Sequence, residues 1–247
     1  MNETVKLQQF LAHSGIASRR KAEVFISEGK VKVNGEVAHI GQRIDPKVDR
    51  IEFEGKPLFT EGKLVYYKLH KPQGYVSTVS DELERKTVLD LLPNSQERIY
   101  PVGRLDLESE GLILLTNDGT LTQILTHPKF EIEKTYEVLL QGIPSTLALN
   151  HLKRGVKLKE GFTKPVKMKI LSRENQRNTW IEMTIKEGRY QQVRRMIRRI
   201  GYEVLRLKRV QFGPIVLDTL PSGEYSPLTE QEVAELMQLK QSESYFL

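Results

Sequence analysis

The sequence predicts an α+β protein with a small N-terminal domain, residues 1–60, and a larger second domain, residues 61–247. The 247 residues, 38% of them hydrophobic, suffice for one large or two modest domains. Helix-like and strand-like segments alternate without strict βαβ order, which favours a mostly antiparallel mixed sheet with flanking helices. Gly55-Lys56-Pro57 and Glu61-Gly62-Lys63 have the composition of a hinge region between the two domains.

Local signals define the elements of the first domain. Apolar spacing predicts an amphipathic helix over Val5–His13, and Ser18 is a suitable N-cap for a second helix, Arg19–Ser27. Asn34-Gly35 is a strong hairpin turn signal between two short strands. A further strand pair is predicted on either side of Asp45-Pro46.

The second domain contains seven predicted strands and five predicted helices. The strands are Leu64–Leu69, Tyr100–Val102, Leu112–Thr116, Thr135–Leu140, Val166–Leu171, Trp180–Ile185 and Val204–Leu207. The helices are Thr87–Leu91, Thr120–Thr126, Ser145–Arg154, Gln191–Ile200 and Glu230–Leu239. Thr229 and Glu232 have the spacing of a capping box, which predicts the start of the last helix.

Composition excludes several classes of protein. The absence of cysteine rules out disulfide scaffolds, iron–sulfur clusters and thiolate zinc sites, and the five histidines lack metal-ligand spacing, so no metal site is predicted. No apolar run approaches the roughly 20 residues that cross a bilayer, and the polar N-terminus does not resemble a signal peptide. The sequence therefore predicts a soluble intracellular protein without a membrane partner.

Positive charge is concentrated in residues 186–209, where nine Lys and Arg face two Glu, against a net charge of +6 for the whole chain. The apolar spacing of the predicted helix commits one face to the core. The four arginines on its remaining surface are Arg194, Arg195, Arg198 and Arg199. They lack acidic partners at i+4, so a solvated basic face is less favoured than a phosphate-binding one.

A loop between two apolar strands offers the clearest candidate for chemistry. Gly103-Arg104-Leu105-Asp106 places an arginine and a carboxylate on a loop that flanking strands would hold rigidly. Taken alone, such a tetrapeptide is more often a hairpin loop with a surface Arg–Asp pair. Its sequence context decides between the two interpretations.

Together with its neighbours, this loop resembles the catalytic motif of the bacterial ribosomal RNA pseudouridine synthases of the RsuA/RluB/RluE/RluF group. Further matching segments follow in the family's order: Leu69-His70-Lys71-Pro72-Gln73-Gly74-Tyr75, Glu110-Gly111-Leu112-Ile113-Leu114-Leu115-Thr116-Asn117-Asp118-Gly119, Glu133-Lys134-Thr135-Tyr136-Glu137-Val138, Glu187-Gly188-Arg189-Tyr190-Gln191-Gln192-Val193-Arg194-Arg195-Met196 and Gly223-Glu224-Tyr225-Ser226-Pro227-Leu228-Thr229. Residues 5–53 resemble the S4 RNA-binding domain of the same group. The resemblance implies an S4-like domain before a pseudouridine synthase domain.

The reaction that this resemblance implies breaks the N1–C1′ bond of a uridine, turns the base and joins C5 to C1′, without metal or cofactor. The family assigns the main role to the Asp of its motif, here Asp106. A fixed carboxylate either adds covalently to the sugar or base, or stabilises positive charge at C1′. The target base must be flipped out of its stack.

The resemblance also implies roles for other residues. Arg194 is expected against Asp106, where its guanidinium would reverse the effect of burial and keep the carboxylate ionised; contact with phosphate is its alternative role. Tyr136 is expected to stack on the target base and to remove the C5 proton, with a structural aromatic as the alternative. Arg104 is expected to fill the space that the base vacates, with an ion pair to Asp106 as the alternative.

Ribosomal RNA is the implied partner of a cytoplasmic, monomeric enzyme. The residues predicted to bind substrate or RNA are Arg104, Lys71, Gln192, Arg189, Arg195, Arg198, Arg199, Arg19, Arg20 and Lys21. Among them, Lys71 and Gln192 are better suited to supporting the pocket. Some motifs lean to small-subunit relatives and others to large-subunit relatives, so 16S and 23S rRNA both remain open. A non-catalytic factor for ribosome assembly is the alternative function.

Overall fold

The computed structural model describes residues 4–58, 64–92, 98–174 and 177–243. The chain forms two compact units, Met1–Val65 with Gln96–Arg98, and Tyr66–Ser95 with Ile99–Leu247. The predicted boundary between residues 60 and 61 and the hinge segment 61–63 lie outside the described residues. Every described helix is too short or too polar to span a membrane.

The first unit contains two helices and six short strands in its described part. They are β1 (Val5–Lys6), α1 (Leu7–His13), α2 (Arg19–Ser27), β2 (Val31–Val33), β3 (Glu36–Val37), β4 (Arg43–Ile44), β5 (Ile51–Phe53) and β6 (Lys56–Leu58). The predicted cap of α2 is confirmed, since the Ser18 hydroxyl accepts a hydrogen bond from the Lys21 amide at 3.2 Å. The α1 and α2 helices share a core with β2, β4 and β5.

Strand pairing in this unit differs from the prediction in three places. The first helix begins at Leu7, because Val5 pairs with Ile44 and extends the chain there. The strands on either side of Asp45-Pro46 do not pair with each other: β4 pairs with β1, and β5 pairs with β2. The predicted hinge at residues 55–57 is wrong, because β6 adds to β5 and extends the four-stranded sheet β3-β2-β5-β6.

The second unit contains all seven predicted strands. Its described elements are β7 (Tyr66–Lys71), β8 (Tyr100–Pro101), β9 (Glu110–Thr116), α3 (Gly119–Thr126), β10 (Lys134–Gln141), α4 (Thr146–Arg154), β11 (Lys157–Leu158), β12 (Gly161–Phe162), β13 (Lys167–Glu174), β14 (Asn178–Ile185), α5 (Gln192–Arg199), β15 (Val204–Phe212), β16 (Ile215–Val216), β17 (Tyr225–Pro227) and α6 (Glu230–Glu243). The predicted helix Thr87–Leu91 is a short 3-10 helix, Val88–Leu91. The capping box at the start of α6 is confirmed.

The described part of this unit is built on a nine-stranded sheet. Its order is β13-β14-β10-β15-β9-β7-β17, with β16 on β15 and β8 on β9. Only the β15–β9 pairing is parallel within this sheet, so the predicted mostly antiparallel mixed sheet is confirmed. A core of residues from β9, β15, α3 and α6 supports the strands that carry the candidate site.

Candidate active site

The loop over residues 103–109 joins β8 to β9 and is anchored through its main chain. Ser77 and Leu105 make a reciprocal pair: the Leu105 amide donates to the Ser77 hydroxyl at 3.0 Å, and that hydroxyl donates to the Leu105 carbonyl at 2.9 Å. The Gly74 amide donates to the Leu107 carbonyl at 2.9 Å. These contacts fix the backbone on both sides of Asp106.

Lys71, the last residue of β7, is fully buried beneath this loop. Its ammonium donates to the carbonyl oxygens of Pro72, Asp106 and Ser109 at 3.0, 3.1 and 2.7 Å. Burial lowers the pKa of Lys71 to about 8. The ammonium is enclosed and satisfies carbonyl groups of the loop, which favours support of the pocket over contact with RNA. Support of the pocket, its alternative role, fits the geometry.

The sheet register places four residues of adjacent strands in one row. Lys71 pairs with Gly111, Gly111 with Arg209, and Arg209 with Tyr136. Residues directly paired in this way share one face of a sheet. Gly111 has a φ of 108°, and a Cβ there would lie 2.3 Å from the Arg209 carbonyl oxygen, so only glycine fits.

A cavity of about 380 Å³ opens at this row. Five of the predicted residues line it: Arg104, Asp106, Tyr136, Arg189 and Gln192. Lys134, Arg209 and Phe212 line it as well and were not singled out from the sequence. The exposed Arg104 also borders a second groove, of about 780 Å³, that shares Asp106 with the first.

The half-buried Asp106 carboxyl has a pKa above its usual range because burial disfavours its charged form. Arg194, Arg104 and Lys71 oppose this shift, in that order, and Glu108 adds to it. The expectation that a guanidinium reverses the effect of burial is therefore wrong.

The contacts of Arg194 give the reason. Its guanidinium donates to the carbonyl oxygens of Glu108 and Val204 at 3.0 and 3.3 Å. Among the described residues it forms no ion pair with Asp106 and does not line the cavity. The attraction between the two charges is therefore electrostatic at a distance, and burial of the carboxyl outweighs it.

The arginines of α5 and its N-terminal loop divide into two groups. Arg195 pairs with Glu160, and Arg189 pairs with Glu187 and donates to the carbonyls of residues 161 and 162. Arg195 has no acidic partner at i+4 on the helix, as the sequence indicates, but it has one, Glu160, from a distant turn. Arg198 and Arg199 are exposed.

The other residues predicted to bind RNA lie in different settings. Gln192 is buried at the start of α5, where it accepts a hydrogen bond from the Arg189 amide and donates to Glu187. It therefore shapes the cavity wall. Arg19, Arg20 and Lys21 are exposed on α2, in the first unit.

Besides Phe212, sequence reasoning missed three residues of the site. Ser77 carries no signal in the sequence, and Lys134 stands out only as part of a motif. Arg209 was counted with the basic stretch, yet its residue is only 2% exposed. The sequence does contain a signal for Arg209, because this residue lies two positions after Leu207 and so shares the inward face of β15 with it.

The fold and site define an RNA-modifying enzyme with an added RNA-binding module. The sequence pattern of the RNA pseudouridylate synthase family matches residues 65–199, and that of the S4 domain matches residues 5–49. The chain belongs to the RNA pseudouridine synthase family, whose members isomerise uridine in RNA.

Two relatives and one solved structure match over nearly their full lengths. Ribosomal large subunit pseudouridine synthase B of Bacillus subtilis is 47% identical, covering 95% of this chain and 96% of that protein. An RNA pseudouridine synthase of Aquifex aeolicus is 42% identical, covering 94% and 93%. A crystal structure of a pseudouridylate synthase superposes with a TM-score of 0.66 at 35% identity, covering 94% of this chain and 99% of that one.

Proposed function

We propose that this protein converts one uridine of large-subunit ribosomal RNA to pseudouridine, with Asp106 as the catalytic carboxylate. One observation carries the proposal: the Asp106 carboxyl borders a cavity with Tyr136, on a loop whose backbone is held by Lys71 and Ser77. The name of the Bacillus subtilis relative, which is 47% identical, favours the large subunit over the small one.

The chemistry follows from this arrangement. The flipped uridine enters the cavity, and the Asp106 carboxylate either adds to the substrate or stabilises positive charge at C1′. Tyr136, 8% exposed at the cavity wall, offers a ring against which the base can lie. Anchoring through backbone carbonyls leaves the carboxylate oxygens available to the substrate.

The setting of the reaction is part of the proposal. The cavity residues all come from the second unit of a single chain, which supports a monomeric enzyme. The exposed basic residues of α2 and α5 supply contacts to phosphate. The protein acts in the cytoplasm, on free ribosomal RNA or on an assembling subunit.

Replacing the carboxylate tests the catalytic role. We expect Asp106→Asn to lower the single-turnover rate of pseudouridine formation by about 1,000-fold or more, since the amide is neither a nucleophile nor an anion. RNA affinity should stay within about threefold, because phosphate contacts dominate it. Glu108→Gln, two residues along the same loop and exposed, is the matched control and should remain active. A fully active Asp106→Asn would remove Asp106 from the mechanism.

Chemical mapping of pseudouridines tests the substrate. Ribosomal RNA from cells lacking the protein should have lost one pseudouridine in the large-subunit RNA, and wild-type protein, but not Asp106→Asn, should restore it. Loss of a small-subunit site would overturn the assignment of the subunit. An unchanged map would favour a protein that only binds RNA.

A further inference from the structure

Arg209 is a buried cation with incomplete pairing. Its Nε donates to the Leu112 carbonyl at 2.7 Å, and its guanidinium lies 4.7 Å from the centre of the Phe212 ring. Within the described part of the chain, its Nη2 is buried without a hydrogen-bond partner, and no carboxylate forms an ion pair with it. The Tyr136 phenol is the polar side chain that interacts with the guanidinium, both electrostatically and through a side-chain hydrogen bond, so Nη2 is the donor that lacks a partner.

The surroundings of Arg209 raise the free-energy cost of burying its charge. Lys134, which also lines the cavity, has a pKa lowered to about 8 by burial and by the Arg209 charge. The charge of Lys71, in the same row of the sheet, also repels that of Arg209. A buried cation among other cations destabilises a fold unless an anion or a strong acceptor joins it. Arg209 is therefore prepared for a negative charge that no carboxylate in the described part of the chain supplies by pairing with it.

The isomerisation generates such a charge. When the N1–C1′ bond breaks, its electron pair leaves with the base, which becomes a uracil anion with charge spread over N1 and the two carbonyl oxygens. C5 then bonds to C1′ and loses its proton to water, and N1 gains a proton from water, so atoms and charge balance. Between these steps, positive charge lies at C1′ and negative charge on the base.

We propose that Arg209 is a catalytic residue: its Nη2 group binds a carbonyl oxygen of the target uracil and stabilises the base while it is detached. This inference rests on the proposed function of the cavity. Arg209 lines the same cavity as Asp106 and lies beside Tyr136 in the sheet, so one bound base can meet all three. Asp106 then stabilises the positive charge of the sugar, and Arg209 stabilises the negative charge of the base.

A comparison of leaving groups tests the proposal. The test uses RNA that carries either uridine or 5-fluorouridine at the target position. Breakage of the N1–C1′ bond of that nucleotide is measured under single-turnover conditions by nuclease digestion and chromatography. Fluorine withdraws electrons, so the fluorinated base needs less stabilisation as an anion. We expect Arg209→Met to lower the rate about 100-fold with uridine, as for loss of one donor to a developing anion, and about 10-fold or less with 5-fluorouridine.

The variants separate catalysis from folding. Arg209→Met leaves no carboxylate unpaired, so we expect it to fold, as judged by circular dichroism and thermal unfolding. Arg209→Lys keeps a cation and the fold but lacks Nη2, and should show the same leaving-group difference with a smaller loss. Lys208→Met removes one charge from the same strand on the opposite face and should behave like wild type with both substrates.

Two results would overturn the assignment of Arg209. One is an equal loss of rate with uridine and with 5-fluorouridine in Arg209→Met, which would indicate a structural role. If that variant does not fold, the same result in Arg209→Lys would overturn the assignment. The other is a wild-type rate in the folded variants. Failure of the wild-type protein to convert uridine would instead overturn the proposed function, so the two failures are distinguishable.

Discussion

At the scale of single residues, cations in the site hold backbone and leave the carboxylate oxygens available. Lys71 binds three carbonyl oxygens, and Arg194 binds two. Neither forms an ion pair with Asp106 among the described residues. Asp106 therefore keeps its position without a partner that the substrate would have to displace, and burial raises its pKa.

This arrangement predicts the pH dependence of the Arg194→Met variant. The proposed mechanism uses the ionised carboxylate of Asp106, so the rate should rise with pH through the pKa of this carboxyl, which lies above the usual range for Asp. Arg194 is the strongest of the charges that lower this pKa. Its removal should raise the pKa and move the acidic limb of the single-turnover pH–rate profile to higher pH.

Arg104→Met serves as the comparison. Arg104 is the second strongest of the charges that lower the pKa of Asp106, so its replacement should move the acidic limb of the profile less. An Arg194→Met profile that keeps its acidic limb and loses only its plateau would indicate that Arg194 acts through loop geometry alone.

At the scale of elements, locally encoded features are the ones that could be predicted. The Ser18 cap of α2 and the Asn34-Gly35 turn follow from side-chain chemistry within a few residues, and both are present. The extension at Val5 could not be predicted, because its partner Ile44 is distant in sequence. The short strands β16 and β17 have too few residues to show periodicity.

The candidate site could be predicted only in part, because only some of its features are encoded locally in the sequence. The loop of Asp106 stands out because its residues match a family motif in order. The buried states of Lys71 and Arg209 do not follow from the chain, because a basic residue is usually exposed. They follow from a row across four strands, which only the register of the sheet reveals.

The exposed arginines of α5 predict how the affinity for RNA depends on salt. Arg198 and Arg199 are exposed, so each can contact phosphate. Replacing both by Ala should reduce the slope of log affinity against log salt by roughly 1.5, since each phosphate contact contributes about 0.7–0.9. Filter binding or anisotropy across a salt series with substrate RNA measures this slope.

A double variant with the same charge loss is the control. Lys167 and Lys169 on β13 are exposed and paired with Glu133 and Glu182. Their replacement by Ala should change the slope little. Equal reductions in both double variants would show that net charge, and not the α5 face, governs RNA binding.

At the scale of the whole molecule, the proposed function assigns chemistry to the second unit alone, and RNA binding to exposed basic residues of both units. The cavity with Asp106, Tyr136 and Arg209 is formed within the second unit. The first unit has its own core and exposes Arg19, Arg20 and Lys21 on α2. Contacts to phosphate position an RNA without reacting with it. The first unit should therefore contribute to the affinity for RNA and not to the rate of the chemical step.

This division predicts how a triple replacement on α2 acts. Changing Arg19, Arg20 and Lys21 to Ala should weaken RNA binding by about 10-fold or more at moderate salt, as expected for loss of up to three phosphate contacts. The single-turnover rate at saturating protein should stay within about threefold of wild type, because uniform binding does not change the chemical step. Rates measured over a protein titration separate the two constants. A large fall in the saturating rate would show that α2 helps to assemble the catalytic site, and the division of roles between the units would fail.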